Sequence, residues 1–159
     1  MLIDNIALLT NYLTSYIFFF LAAAIILSLL YLRGYRKFVR VSFLTIAVTS
    51  ITVTILKILI AVPRPVEALV ELSSYAFPSG HAAMSASVSC LLIWILFEKQ
   101  KNVFYRTLFT AGIVLIAGWI TYTRLILTVH TLDQILVGTV IGILVFFGVL
   151  AIESKIFEK

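Results

Sequence analysis

The sequence predicts an all-α membrane protein: a multi-pass helical bundle of five spans, or six if a short N-terminal helix is added. Three observations predict it. Apolar residues make up 62% of the 159 and charged residues only 12%, whereas a soluble domain is roughly a quarter charged and less than half apolar. A chain of this size leaves too much surface exposed to hide that much apolar area in water. The apolar runs are also continuous, without the short alternating strands and polar lumen of a closed barrel.

A helix needs roughly 20 apolar residues to cross the hydrocarbon core. Residues 1–15 are too short and too polar to cross alone, and fit an interfacial helix or an extension of the first span. The spans follow at Tyr16–Leu32, Val41–Val62, Ser79–Phe97, Thr107–Thr123 and Leu132–Ile152. Tyr16–Leu32 does not read as a cleaved signal, because no basic residue precedes it and Arg33 follows without a small-residue cleavage site. Only the second span carries a charge well inside it, Lys57. The sole cysteine, Cys90, lies within the third span and reads as a small packing residue. In the fifth, "GTVIG" (Gly138–Gly142) is a small-xxx-small pattern that lets helices approach closely, within the bundle or between two copies. The whole chain, 1–159, reads as a single membrane-embedded domain.

The charges are partitioned. Nine of the twelve basic residues fall on one side of a five-span chain: Arg33, Arg36, Lys37, Arg40, Lys99, Lys101, Arg106, Lys155 and Lys159. Cytoplasmic loops are the ones enriched in Lys and Arg, so the N-terminus is expected outside and the C-terminus in the cytoplasm. The cluster Arg33–Arg40 also suits anionic lipid head groups. Only Lys57, Arg64 and Arg124 remain for the outer side, with the acids Asp4, Glu67, Glu71 and Asp133 and both histidines, His81 and His130.

That outer set has the chemistry of a site. Lys57 and Arg64 are seven apart, two turns along one helical face. In "PSGH", Ser79 is a natural N-cap and Gly80 admits a ligand close to the backbone. The unpaired amides of a helix start attract an anion, and His81 stands in the first turn beside it. The guanidinium of Arg124 suits phosphate oxygens. His130 precedes the fifth span, and Asp133 or Gln134, three and four residues on, can face and orient it. Cations plus helix-end amides describe a phosphate cradle; two imidazoles supply a nucleophile and a general acid. No carboxylate cluster calls for a divalent metal. Without a Walker glycine loop or interleaved basic and aromatic residues, nucleotide hydrolysis and nucleic-acid binding lack support.

The order Lys-x6-Arg-Pro, Pro-Ser-Gly-His, Arg-x5-His, from Lys57 to about Gln134, resembles the type 2 phosphatidic acid phosphatase (PAP2) superfamily. That group includes lipid phosphate phosphatases, polyprenyl-diphosphate phosphatases, glucose-6-phosphatase and vanadium haloperoxidases. The resemblance implies that Lys57, Arg64, Arg124, Ser79 and the Gly80 amide hold the phosphoryl group, His130 attacks phosphorus and His81 protonates the leaving group. It implies no metal and no cofactor. The chain departs from the pattern in having Thr123 before Arg124 where serine is usual, and Gln134 where the family has its aspartate. It also looks one N-terminal span short of the usual six.

The expected activity is dephosphorylation of a lipid phosphate or diphosphate at the outer leaflet through a phosphohistidine. A polyprenyl diphosphate of undecaprenyl or dolichyl type is the expected substrate, because the site faces outward and little of the chain lies outside the membrane to enclose a soluble one. Phosphatidic acid, phosphatidylglycerol phosphate and phosphate transfer to an alcohol are alternatives. A non-catalytic lipid-phosphate binding or transport module is the reading from another class.

Overall fold

A computed structural model describes residues 2–66, 68–70 and 72–157. Glu67, Glu71 and Lys159 lie outside the described residues. Six helices are found among those described: α1 (Leu2–Leu13), α2 (Tyr16–Leu32), α3 (Arg36–Ile60), α4 (Gly80–Lys99), α5 (Val103–Ile126) and α6 (Leu132–Phe157). Four of them, α3 to α6, are long and apolar enough to cross a membrane. At 17 residues, α2 is about 26 Å long, one turn short of a core about 30 Å thick.

Four helices, α3 to α6, run past the limits expected from hydropathy, and the added residues or their caps have partners. Helix α3 begins five residues before Val41, and α6 continues five beyond Ile152; Arg40 Nη2 donates to Glu153 Oε1 at 2.6 Å across the two. Helix α5 starts at Val103, where Asn102 accepts from the Phe104 and Tyr105 amides at 2.9 and 3.4 Å. Arg106, inside that first turn, lays its guanidinium 4.4 Å from the Phe97 ring. Lys99 covers the Tyr35 ring at 4.2 Å. Arg40, Lys99 and Arg106 therefore gather at one end of the bundle.

Helix α3 stops sooner than expected, at Ile60, rather than running to Val62. Ala61 takes a left-handed conformation (φ 51°) and donates to the Lys57 carbonyl at 3.0 Å. Val62 precedes Pro63, which disfavours helix at that position. Arg64 is thus not on the helical face of Lys57, which corrects the two-turn reading of that pair. It reaches the same neighbourhood from an extended loop.

The most extensive helix contact is α4 against α6. A Cβ on Gly142 would lie 2.1 Å from the Ala83 carbonyl oxygen, and one on Gly138 would lie 2.5 Å from that of Ser79. The small-residue pattern is used inside the bundle, backbone against backbone. Cys90 packs beside a core of Val41, Leu91, Phe146 and Val149 at the other end. Helix α1 does not extend α2: the chain breaks at Thr14–Ser15, and α1 packs on α5.

Candidate active site

The loop between α3 and α4 is pinned to its surroundings by backbone bonds. Leu69 donates to the Leu127 carbonyl at 3.0 Å, and Ala76 to that of Val62 at 2.8 Å. Ala7 of α1, Leu127 and Val129 form a buried apolar cluster beneath it. This loop and the α5–α6 turn frame the end of the bundle opposite the basic one.

Lys57, only 7% exposed, donates its ammonium to the Tyr75 carbonyl. Arg64 donates through Nε to the Ser74 carbonyl at 2.8 Å, and through Nη1 to that of Val129 at 2.9 Å. The same Nη1 lies 3.4 Å from His130 Nε2. Arg124 is fully buried; Nε and Nη2 donate to Thr123 Oγ1 at 3.2 and 2.9 Å, and Nη1 to Asn11 Oδ1 at 2.7 Å. Ser79 Oγ accepts from the Ala82 amide at 3.4 Å, the capping bond expected of it. The Ser79 amide donates to the Gln134 carbonyl at 3.1 Å, tying the start of α4 to the first turn of α6.

His130, 5% exposed, sits in the turn before α6 with Nδ1 3.0 Å from Gln134 Oε1. The Thr131 amide also donates to Oε1, at 3.3 Å, which identifies that atom as the amide oxygen. Nδ1 is therefore the N–H donor, and Nε2 presents its lone pair toward Arg64. Asp133 turns away and accepts from the Thr131 hydroxyl. Burial above all, joined by the charges of Arg64, Lys57 and Arg124, pushes the His130 pKa down to about 4, against an opposing effect of the Gln134 bond that is larger than that of any one cation. The imidazole is neutral at physiological pH.

His81, in the first turn of α4, shares a hydrogen bond with the Thr14 backbone and stands within electrostatic range of Arg124, His130 and Arg64. Lys57 and Arg64 lie within range of each other. The three cations, both imidazoles and the capped start of α4 are gathered at one end of the bundle. Two cavities meet there at Gly80. One of about 570 Å³ lies between α2, α3 and α4, and has Lys57, Ser73, Ser74 and Tyr75 in its wall. The other, about 170 Å³, runs between α4 and α5 from Thr14 and His81.

Sequence reasoning missed Asn11 and the loop carbonyls that hold Lys57 and Arg64. Asn11 is an amide in a largely apolar helix, but its partner is 113 positions away and no local spacing links the two.

Residues 38–158 match the PAP2 superfamily. The chain belongs to that superfamily. It is 33% identical over 94 residues to phosphatidylglycerophosphatase B of Bacillus subtilis (strain 168), 55% of this chain and 44% of that protein. The chain thus spans under half the length of this curated relative. Among solved structures, it superposes on a transmembrane PAP2-type phosphatidylglycerolphosphate phosphatase from Bacillus subtilis with a TM-score of 0.80 at 24% identity, covering 96% of this chain and 77% of that one. LpxE of Aquifex aeolicus gives 0.74 at 26% identity, over 94% and 86% of the two chains. An all-helical PAP2 membrane fold follows.

Proposed function

We propose that this PAP2 chain is a metal-independent phosphatase of membrane lipid phosphates or diphosphates. The observation that carries the reading is His130: a buried, neutral imidazole with Nδ1 held by Gln134 and Nε2 free of its proton, 3.4 Å from a guanidinium. A pure binder needs cations; it does not need a tautomer fixed for attack. Nε2 attacks phosphorus while Lys57, Arg64, Arg124 and the Ser79–Gly80 end of α4 neutralise the equatorial oxygens. The bond to the leaving oxygen breaks and His81 gives that oxygen its proton. Water then attacks the phosphohistidine, His81 recovers a proton from it, and the P–N bond breaks to release phosphate and neutral His130. Gln134, not Asp133, orients the nucleophile in this scheme.

With α2 as a fifth crossing, the chain's two ends lie on opposite sides. The basic end then faces the cytoplasm and the site faces outward. A polyprenyl diphosphate remains the preferred substrate. The name of the Bacillus relative favours a second reading, phosphatidylglycerol phosphate. The test is phosphate release by purified protein in detergent with a chelator present. Wild type is expected to turn over, His130→Gln to lose at least 1,000-fold and His81→Gln about 100-fold or more, in keeping with the size of such contributions. A His130→Gln variant at wild-type rate overturns the scheme.

A further inference from the structure

Arg124 is held from two directions. Thr123 Oγ1 gives its own hydrogen to the Ile120 carbonyl at 2.7 Å, so it meets the guanidinium purely as an acceptor, taking Nε and Nη2. Nη1, on the other side of the fork, goes to Asn11 Oδ1 of α1 at 2.7 Å. An arginine can only donate, so the Asn11 atom facing it is the amide oxygen. A single acceptor atom leaves the guanidinium plane able to turn about it; a second, from another helix, stops the turning. The plane matters, because a guanidinium grips phosphate through two parallel N–H bonds whose direction the fork sets.

Helix α1 is shaped for this contact. Ala7, Asn11 and Thr14 recur at helical spacing on its inward side. Ala7 is fully buried with Leu127 and Val129, and Trp119 Nε1 donates to Thr10 Oγ1 at 3.1 Å. The Thr14 backbone, just past the end of α1, bonds His81. The opposite side presents Ile6, Leu8, Leu9, Tyr12 and Leu13, all exposed, with Asn5 the one polar residue among them. Polar side in and apolar side out is the wrong way round for water. It is the right way round for a helix between lipid and an active site. This one short segment touches both a phosphate ligand and the general acid of the scheme.

We infer that Asn11 is a positioning residue of the phosphatase site, a neutral acceptor that aims Arg124 at the phosphoryl oxygens without cancelling its charge. This rests on the phosphatase reading and deepens it. A carboxylate in the same place would pair with Arg124 and compete with the substrate's own oxyanion. A side chain without an acceptor would let the fork turn.

Purified wild type, Asn11→Ala, Asn11→Asp, Arg124→Lys and the double variant Asn11→Ala/Arg124→Lys are compared in detergent with a chelator. The probes are dioctanoyl phosphatidic acid and farnesyl diphosphate, with inorganic phosphate as the competing inhibitor. Asn11→Ala is expected to lose about tenfold or more in kcat/KM, the scale of a hydrogen bond to a charged group. The factor is the same on every probe that wild type turns over, because the contact acts at the phosphoryl end. On the Arg124→Lys background, where there is no fork to aim, the same substitution is expected to cost less than about twofold. Asn11→Asp keeps the acceptor, so it is expected to melt at or above the wild-type temperature, yet to bind phosphate about fivefold or more weakly. An equal Asn11→Ala penalty in both backgrounds would make Asn11 a structural prop of α1 and overturn the inference. A penalty confined to one lipid, or a gain of activity in Asn11→Ala, overturns it as well. So does phosphate inhibition of Asn11→Asp at the wild-type level, and that arm decides alone if Asn11→Ala does not fold. All of these leave the phosphatase standing; a wild type that turns over neither lipid removes both readings together.

Discussion

His130 and Gln134 are four residues apart across the first turn of α6, and their single bond sets the protonation chemistry of the site. Because burial and three cations depress the imidazole, it stays unprotonated down to about pH 4. Above that pH the proposed nucleophile is unprotonated, and activity is expected to fall as pH drops through it. The acid limb of kcat/KM that belongs to His130 is thus expected well below the ordinary histidine range near 6.5. Gln134→Glu places a carboxylate against Nδ1–H and stabilises the imidazolium, so its acid limb moves to higher pH by about one unit or more. Comparing both proteins on one substrate cancels the substrate's own ionisation; coincident limbs would refute the assignment. This pair also marks where sequence reading stopped. Positions three and four residues on both fall beside His130 on a helix, and only the turn geometry, with Thr131 occupying Asp133, separates them.

At the scale of helices, the site depends on how closely α4 and α6 meet. Gly142 has no room for a methyl group: the obstacle is the Ala83 carbonyl at 2.1 Å, which is backbone and cannot rotate aside. Gly142→Ala is expected to drive the helices apart, lowering stability by about 1–3 kcal/mol or more and phosphate release more than tenfold. Gly112→Ala is the control, since a Cβ there meets nothing within 4 Å. Thermal unfolding in detergent checks both; a Gly142→Ala protein melting with wild type would show the contact to be slack. The helices themselves were legible from hydropathy because a continuous apolar run has one stable form in lipid. Their ends were less so: Arg36, Arg106 and Glu153 lie within helices, each against the expectation that charge ends a span. The early stop at Ile60 depends on a left-handed alanine, which carries no sequence mark.

Across the whole molecule the two ends are built differently. One end carries Lys57, Arg64, Arg124 and both imidazoles. The other is closed by Arg40 and Glu153, the latter 1% exposed and the former 38%. Glu153 Oε2 has no other partner among the described residues, so removing Arg40 strands a buried carboxylate, at a cost of about 3–5 kcal/mol. Glu153→Gln leaves instead an arginine that reaches water. Arg40→Ala is therefore expected to lower the unfolding temperature more than Glu153→Gln, and the reverse order would mean that the carboxylate is solvated by another route. The candidate site was the most legible part of the chain at this scale: Lys57, Ser79, His81, Arg124 and His130 are gathered at one end of the bundle, and Arg64 joins them from the α3–α4 loop instead of from the helical face its spacing suggested. What spacing could not supply was the scaffold around them, Asn11 and the carbonyls of Ser74, Tyr75 and Val129. The tie from the Ser79 amide to the Gln134 carbonyl has a last consequence. It fastens both imidazoles to a single wedge, while the cations arrive on separate arms. A substitution that parts α4 from α6 is therefore expected to move His81 and His130 relative to each other while each cation keeps its own anchorage on α3, the α3–α4 loop or α5.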